Sequence, residues 1–573
     1  MAAPNQGPVI VIGGSLVGLA SALFLSDRNV PVVLIERHTA SSRHPRAIGY
    51  TTRTLELLKT VGIPPSALDV GSVHPPGRPR RVKVRSLAGE WSDEQHWNNG
   101  NARPPGAGDR GPGGGPGGPG TGAKKYSPIV GTAIAQDRLE PILRRRAVEL
   151  GADLRLGWEM TGWSQSADGV TVTAVDKGGG QTTTVQGSYI VACDGARSTL
   201  REALGIRTTG VGHLRSLRSV LFRCAPIQHY LERGFVQFAI EGRDDGFEAF
   251  LVSYPDGRWA LMWNDDDGDE DDDGAARAMD ARAQRDLVRK AVGLGEADLP
   301  DGAVELLATG RWEMSARIAE RFSRGRVFLA GDAAHALPPN RGGYGANTGV
   351  ADAHNLAWKL AAVRAGRAGP ALLGTYDAER RPVALVRHDQ LFARDDYKAY
   401  ARGGGGRGAA TGRAAVRVID DVAMELGQVY RSEGVVLGPD GGRGLPDALR
   451  PDEWRGQPGT RAPSVTVSTG GEEVASLDLF SRGWVLLSRD EAWRAGAERA
   501  GAEAGVECGF VHVGARATEA DGQETFEGSF GVGGSGAVLV RPDGFIAWRS
   551  AEKEAGFEAG FSEVFGKVSF ARR

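Results

Sequence analysis

Eight residues near the start, Val11-Ile12-Gly13-Gly14-Ser15-Leu16-Val17-Gly18, have the spacing of a turn that admits a dinucleotide, and Glu36 stands eighteen residues after Gly18. A strand that binds a pyrophosphate must turn tightly, bring its backbone close to the phosphates and pack a helix behind the turn. Glycines at three positions meet those needs, and the helix N-terminus adds amide donors and positive dipole. An acid closing the second strand accepts from a ribose hydroxyl. Ser15 occupies the middle glycine position, so the G-x-G-x-x-G pattern is broken there, although a small serine still permits close approach. A ligand-free buried βαβ unit is the alternative, and the order strand, turn, helix, strand, acid weighs against it.

Two further constellations lie downstream. Cys193-Asp194-Gly195-Ala196-Arg197-Ser198-Thr199-Leu200-Arg201 ends a strand in Asp-Gly and starts a helix at Ser198, again exposing backbone donors at a sheet edge. An ordinary turn with a helix cap reads equally well, and Cys193 reads as a core strand residue rather than a reactive thiol. The third runs through Gly331-Asp332-Ala333-Ala334-His335, Pro338-Pro339, Gly342-Gly343-Tyr344-Gly345-Ala346 and Asn347-Thr348-Gly349, with a helix expected from about Val350 to Val363. Asp332 at a strand end suits ribityl or ribose hydroxyls, and the glycine turn lets backbone approach a flat ring. The following helix end favours negative charge, such as the N1–C2=O edge of a reduced flavin. His335 and His354 lack metal-ligand partners at useful spacing, so no metal site is expected.

The elements around these motifs alternate between strands and helices. Pro8–Ile12, Val30–Ile35, Tyr189–Cys193 and Arg326–Ala330 are short apolar runs, as expected of strands buried on both faces of a parallel sheet. Arg215–Trp263 is strand-rich, with a hairpin over Leu251–Met262. After Gly456 the pattern restarts as strand Trp484–Ser488, helix Glu491–Ala504 and strand Cys508–Val513. Ala537–Val540 and Phe545–Trp548 then flank a Pro542-Asp543-Gly544 turn. That order suits a small thioredoxin-like domain.

A chain of 573 residues is too long for one core. Glycine, at 84 residues, is about twice as common as usual. The glycines are clustered and aperiodic, which excludes collagen, and 41% hydrophobic residues exclude wholesale disorder. A net charge of −2 points to neither nucleic acid nor an anionic membrane. No run reaches the length of a membrane helix, and Met1–Pro8 lacks signal-peptide features. Three scattered cysteines suit a reducing, cytoplasmic setting. Pro104–Gly122, mostly glycine and proline, reads as a surface insertion, Gly403–Gly406 as a linker, and the acidic run Asp265–Asp273 as a solvated loop tip rather than a cation site.

The three constellations together resemble the group A flavoprotein aromatic monooxygenases, the family of para-hydroxybenzoate hydroxylase and phenol hydroxylase. The resemblance spans nearly the whole chain. It includes Glu36-Arg37-His38, His44-Pro45-Arg46-Ala47, Arg53-Thr54-Leu55-Glu56 and Gln136-Asp137-Arg138-Leu139-Glu140. The His-Pro-Arg-Ala signature, the Gly-Gly-Ser-Leu-Val-Gly turn and the ending Arg541-Pro542-Asp543-Gly544 are most similar to aromatic polyketide hydroxylases. The implied fold is α/β, a Rossmann-like FAD-binding domain interleaved with an α+β substrate domain on a mixed sheet, plus a C-terminal thioredoxin-like domain. Residues 1–80, 126–205 and 316–400 would build the FAD-binding domain. Residues 81–125, with the insertion, and 206–315 would form the substrate domain. Residues 401–455 would be a linker and helical connection, and 456–573 the thioredoxin-like domain, without redox cysteines and used for packing or contact in a homodimer.

Carried over residue by residue, the resemblance implies FAD contacts from Gly13, Gly14, Ser15, Leu16, Val17 and Gly18. Glu36 would meet the adenosine ribose, with Arg37 beside it, Arg46 the pyrophosphate region, and Gln136 would lie along the cofactor. Asp194 and Arg201 belong to a motif linked to both FAD and NADPH. Gly331 and Asp332 would lie at the ribityl–pyrophosphate junction, and Pro338 and Pro339 beside the ring. Gly343, Gly345 and Ala346 would pass close to the isoalloxazine, with Asn347 and Thr348 at its pyrimidine edge. With one dinucleotide fingerprint, NADPH would bind only transiently.

The implied chemistry is hydroxylation of a small aromatic substrate, phenolic or polyketide-like. NADPH reduces FAD, O2 adds at C4a, and the hydroperoxyflavin transfers its distal oxygen. Tyr50, Tyr254 and Tyr344 are the catalytic candidates for assisting a phenol, with plain packing as the alternative. Phenol hydroxylases carry an aspartate where this chain has Ile48, so that base is absent. Baeyer–Villiger insertion, epoxidation and dearomatisation remain open, as do a non-catalytic flavin protein sequestering an intermediate and a NAD-dependent dehydrogenase.

Overall fold

The structure, a computed structural model, describes residues 7–44, 47–74, 80–95, 126–265, 279–339, 343–394, 397, 417–438, 441–514 and 525–572. Arg46, Gly342, the Pro104–Gly122 insertion, the Gly403–Gly406 linker and all of the acidic run beyond Asp265 lie outside them.

The apolar runs read from the sequence form one sheet. Its order is Ser323–Arg324, Val327–Leu329, Tyr189–Ala192, Val9–Ile12, Val32–Glu36 and Asp153–Leu156, parallel except for the first pair. Val9, Ile10 and Val11 are fully buried because helices and loops cover both faces, which is why the strands lack polar alternation. Leu16–Asp27 follows the first strand as a helix and packs against the long helix Tyr344–Arg364. Phe24 meets His354 edge-on there, with ring centroids 5.0 Å apart.

A second sheet of eight strands carries the strand-rich stretch. Its order is His335–Ala336, Glu305–Ala319, Thr208–Arg223, Arg258–Asn264, Ala249–Ser253, Phe235–Ile240, Arg80–Val84 and Trp91–Gln95. Period-two alternation divides its side chains between two environments. Val220, Phe222, Trp259 and Leu261 point into a core completed by helix Ala281–Val292. Leu221, Val252, Tyr254 and Ala260 point the other way, where they meet Ala135 and partly buried Ile48, Phe250, Met262 and Leu307.

The C-terminal unit has a four-stranded sheet ordered Cys508–His512, Trp484–Ser488, Ala537–Val540 and Ile546–Ser550. The first pair is parallel and the other two antiparallel. Helices Trp493–Ala504 and Phe557–Val568 pack together on one face, and their buried side chains join the same core as the parallel sheet.

Two readings of the sequence change. The helix expected from Val350 starts at Tyr344, after Gly343 in the left-handed region at φ +56°. Two glycines in its first turns hid it, because glycine disfavours helices when nothing else holds them. Here burial decides: a Cβ on Gly349 would lie 2.5 Å from Val17 Cγ2, so glycine is what lets this helix approach the fingerprint helix. Asp265, the first acid of the run, is not solvated. Its side chain is 1% exposed, accepts from Arg218 Nε at 2.6 Å and forms an ion pair with Arg311 Nε at 2.6 Å, tying three strands together.

Candidate cofactor and substrate site

The parallel register brings the three constellations to one sheet edge. Ile12 pairs with Ala192, and Ala192 with Leu329, so Gly13, Asp194 and Gly331-Asp332 emerge side by side at the strands' C-terminal ends. This is where open α/β sheets hold ligands. Gly13 turns at φ +100°, and a Cβ there would sit 2.3 Å from Cys193 O, so the first two loops touch through a position that only glycine fills. Val17 half fills the gap toward Gly331. Gly18, a turn of helix further, packs directly onto Gly13 O.

Ser15 does more than stand in for a glycine. Its hydroxyl donates to Glu140 Oε1 at 2.7 Å and accepts from Gln136 Nε2 at 2.9 Å. Gln136 also donates to Glu140 at 2.8 Å and accepts from Ala47 N at 3.2 Å. Gln136 thus ties the fingerprint turn to the last residue of the His-Pro-Arg-Ala signature. Glu36 accepts from Gly14 N at 2.6 Å and from His38 N at 2.8 Å, while Arg37 is exposed.

In the second loop, Asp194 Oδ2 accepts from Leu200 N at 3.2 Å and caps the following turn. Its Oδ1 is buried with no hydrogen-bond partner among the described residues. Arg201 is 7% exposed and donates to Ala196 O at 2.9 Å and Ala333 O at 3.4 Å. Its guanidinium is therefore committed to fastening the second loop to the third. Cys193 is pushed up to about 12 by burial, which leaves an inert thiol.

The third loop is held from below. Asp352 accepts from Gly331 N at 3.3 Å, His335 Nε2 at 2.6 Å and Arg380 Nε at 2.8 Å. Against the opposing effect of burial, His335 and Arg380 keep this fully buried carboxyl below its usual range. His354 is pushed well below its ordinary value by burial and sits in the core as a neutral ring. Asp332 is half-buried in the turn Gly331–Ala333, and Pro339 is exposed with its carbonyl accepting from Tyr397. Gly343, Gly345 and Ala346, half-buried, line up at the helix start.

The side chains of Asn347 and Thr348 bond within the protein. Asn347 Nδ2 donates to Gly343 O at 2.9 Å and Gly49 O at 3.2 Å, and its Oδ1 accepts from Thr51 N at 3.0 Å and Thr54 Oγ1 at 2.6 Å. Every polar atom of that side chain is used within the protein, so it clamps the helix start to the Gly49–Thr54 segment. Thr348 Oγ1 bonds Tyr344 O and Arg387. These side chains lie about one turn along from the helix start and bond into the packing, while the backbone amides of the first turn have no intrahelical partner.

The three tyrosines are all buried, and burial raises each hydroxyl above its ordinary value. Each stays protonated at neutral pH, which leaves hydrogen bonding rather than proton abstraction. Tyr50 OH is buried without a hydrogen-bond partner among the described residues. Tyr254 shares its apolar cluster with Ile48. Tyr344 lies in the first turn of its helix with the Arg387 guanidinium 5.4 Å from its ring.

The apolar sheet face of Leu221, Phe250, Val252, Met262 and Leu307 went unread in the sequence. Each strand alternates there, but which alternate faces Ala135 and Ile48 depends on a pairing register and on bulges such as that between Leu221 and Phe222.

The protein chemistry fits an FAD. Neither the helix starting at Leu16 nor the one starting at Tyr344 has a side-chain N-cap bond or an acid in its first turn. Two sets of amides and two positive dipole ends are left for an anionic diphosphate and an electron-rich pyrimidine. The orphan Oδ1 of Asp194 lies at the same edge as an acceptor for hydroxyl groups. Among the described residues no helix is long and apolar enough to cross a membrane, and no group of acids, histidines and cysteines could hold a metal.

Comparison with known proteins agrees with that chemistry. An FAD binding domain family matches residues 6–389, and an aromatic-ring hydroxylase C-terminal family matches residues 455–568. A 4-methyl-5-nitrocatechol 5-monooxygenase from Burkholderia sp is 38% identical, over 98% of this chain and 97% of its own. A tetracenomycin B2 monooxygenase-dioxygenase from Streptomyces olivaceus is 36% identical over 98% of both chains. The solved ternary complex of aklavinone-11 hydroxylase with FAD and aklavinone superposes with a TM-score of 0.79 at 31% identity over 98% of both. The three-loop edge, its two uncapped helix ends and these relatives lead to one conclusion: the chain belongs to the FAD-dependent aromatic monooxygenases, among the aromatic polyketide hydroxylases.

Proposed function

We propose that this enzyme hydroxylates a phenolic or polyketide-type aromatic ring, consuming NADPH and O2 at a tightly held FAD. The observation that carries the reading is the meeting of three loops and two uncapped helix starts beside an apolar sheet face. The bound FAD would supply the hydride-accepting and O2-activating chemistry that these residues position. The amides after Ser15 hold the diphosphate, and those of Tyr344, Gly345 and Ala346 meet the pyrimidine edge. Glu36 keeps lone pairs for a ribose hydroxyl beyond its bonds to Gly14 and His38. Asp194 Oδ1 and Asp332 accept from cofactor hydroxyls. Leu221, Phe250, Val252, Met262 and Leu307 form an apolar wall that excludes water and receives a flat ring. Tyr50 OH donates to the substrate's oxygen and orients it. With three protonated tyrosines and no carboxylate at position 48, the enzyme suits a substrate that is already acidic or quinonoid.

We extend the proposal to organisation. Residues 1–80, 126–205 and 316–400 make the FAD-binding domain, and 81–125 with 206–315 the substrate domain. Residues 401–455 make the connection and 456–573 the thioredoxin-like domain. Its parallel first pair followed by an antiparallel hairpin supports that last assignment. Cys508 stands alone there, buried and pushed up to about 12, so no redox role is assigned to it. We assign the protein to the cytoplasm.

A second outcome, entry of more than one oxygen, is favoured by the relatives named monooxygenase-dioxygenases. One experiment separates the readings. Purified holoenzyme is given NADPH and a panel of phenols, naphthols and anthraquinones, and product masses are measured. Hydroxylation adds one oxygen with ligand-stimulated NADPH oxidation, and the second outcome adds more. Failure of every aromatic ligand to accelerate NADPH oxidation would sink the monooxygenase reading in favour of sequestration.

A further inference from the structure

We propose that the Arg541-Pro542-Asp543-Gly544 turn of the C-terminal unit is a positioning element of the cofactor site, acting through the Tyr344–Arg364 helix. The proposal rests on the FAD site described above. Four ionisable side chains meet where the turn enters: Lys359, Glu379, Arg541 and Asp543, exposed by 0%, 1%, 1% and 4%. Arg541 donates to Glu379 Oε1 at 2.6 Å and Oε2 at 2.9 Å, and to Asp543 Oδ2 at 2.6 Å and Oδ1 at 3.1 Å. Asp543 in turn accepts from Asn355 Nδ2 and Trp358 Nε1, each at 3.2 Å. Lys359 Nζ completes the set on Glu379 at 2.7 Å and Asn355 Oδ1 at 2.8 Å. Two cations and two anions cancel, and each partner has one place to sit.

Asn355, Trp358 and Lys359 are three and four residues apart, hence on one face of the helix. The amide end of that helix lies about three to four turns before them, roughly 16–23 Å away at 1.5 Å per residue. Apolar packing alone leaves this face underdetermined. A cavity of about 30 Å³, lined in part by Asn347, His354, Asn355, Arg387 and Asp543, runs along it and has room for water. The same helix therefore has space to shift unless directional bonds fix it. A buried ionic set is a poor source of net stability but a strict one of register. The neighbouring helix Gly374–Ala393 continues the brace: Arg380 Nη2 donates to Thr348 O at 3.2 Å and its Nη1 to Tyr430 OH at 3.0 Å, while Arg387 reaches Tyr344 O at 3.5 Å. Glu379 precedes Arg380 directly, so the turn of the C-terminal unit and the first turns of the cofactor helix share one framework.

The test compares Asp543→Asn and Arg541→Lys with Phe530→Leu, a change in the separate core of the C-terminal unit. Apo-protein melting temperature and the FAD dissociation constant, by flavin fluorescence titration, are measured for each. Asp543→Asn is expected to weaken FAD binding about tenfold, the size of a typical coupling between linked sites. Arg541→Lys, which keeps the charge, should weaken it less. Phe530→Leu should lower the melting temperature while leaving FAD binding within about twofold of wild type. Equal FAD affinity in Asp543→Asn and wild type overturns the proposal, as does a dissociation constant that follows melting temperature alike in all three variants. If Asp543→Asn yields no folded protein, Arg541→Lys against Phe530→Leu decides by the same criterion. Wild-type protein that takes up no FAD overturns the site itself, a separate result.

Discussion

Ser15 and Gly13 sit two residues apart in the same turn, yet they answer to different forces. Ser15 contributes a hydroxyl between Glu140 and Gln136, which bond each other without it. Ser15→Gly should therefore cost only about 1 kcal/mol in denaturant unfolding, the net worth of a hydrogen bond. Gly13→Ala drives a Cβ to within 2.3 Å of Cys193 O at φ +100°. Clash and backbone strain together should cost about 3 kcal/mol or more by the same measurement, with loss of bound flavin colour. Tyr50 supplies the residue-scale test of substrate handling. Its hydroxyl is buried and has no hydrogen-bond partner among the described residues, so Tyr50→Phe should leave the melting temperature unchanged or raised. Its kcat/KM should nevertheless fall about tenfold, as expected when one substrate hydrogen bond is lost. An unchanged kcat/KM assigns Tyr50 to packing. The fingerprint glycines and Glu36 were legible because their geometry is local. Asn347's inward clamp was not, because it depends on Gly49 and Thr54, nearly three hundred positions away.

At the scale of elements, the buried parallel strands announced themselves as short apolar runs, and Val9–Ile12 and Tyr189–Ala192 fall where their sequence puts them. The helix at Tyr344 did not, since its glycines argue against a helix until Val17 is placed against them. The long strands Thr208–Arg223 and Glu305–Ala319 pair through three irregularities, which no single-strand pattern predicts. The helix Gly374–Ala393 carries the clearest pH signature. Arg541 and Lys359 hold Glu379 well below the ordinary glutamate value of 4.5, against the effect of burial. A carboxyl whose folded value is depressed stabilises the fold above the unfolded value and loses that contribution as pH falls. Urea midpoints should thus stay level from neutral pH down to the region of 4.5 and drop below it. Glu379→Gln should be less stable at neutral pH by about 3–5 kcal/mol, because buried Lys359 loses its carboxylate partner and Arg541 one of its two. Its acid slope should be shallower than that of the wild type. Burial outweighs Glu379's attraction at Lys359 and draws the ammonium down to about 8.

For the whole molecule, the parallel sheet and the C-terminal helices share one hydrophobic core, with Trp358 and Trp484 meeting at right angles 6.1 Å apart. Arg461 adds a buried pair with Glu56 across the same boundary. Melting followed by tryptophan emission and by release of flavin fluorescence should therefore give coincident transitions. A chain ended at residue 455 should fail to accumulate as an FAD-binding protein, and a C-terminal unit melting separately at lower temperature contradicts this shared core. The family resemblance reached this scale from motifs alone, but the dependence of one unit on the other has no motif, since it lives in contacts between residues hundreds of positions apart. The buried turn at Arg541 also orders events in time. Synthesis proceeds from the N-terminus, and the roughly 200 residues separating Tyr344 from Arg541 take about 10–40 s to emerge at 5–20 residues per second. Until then Glu379 lacks its partner Arg541. If this turn positions the cofactor helix as proposed, the nascent chain carries its fingerprint early, and full affinity for FAD is expected only after the last strand pair has emerged.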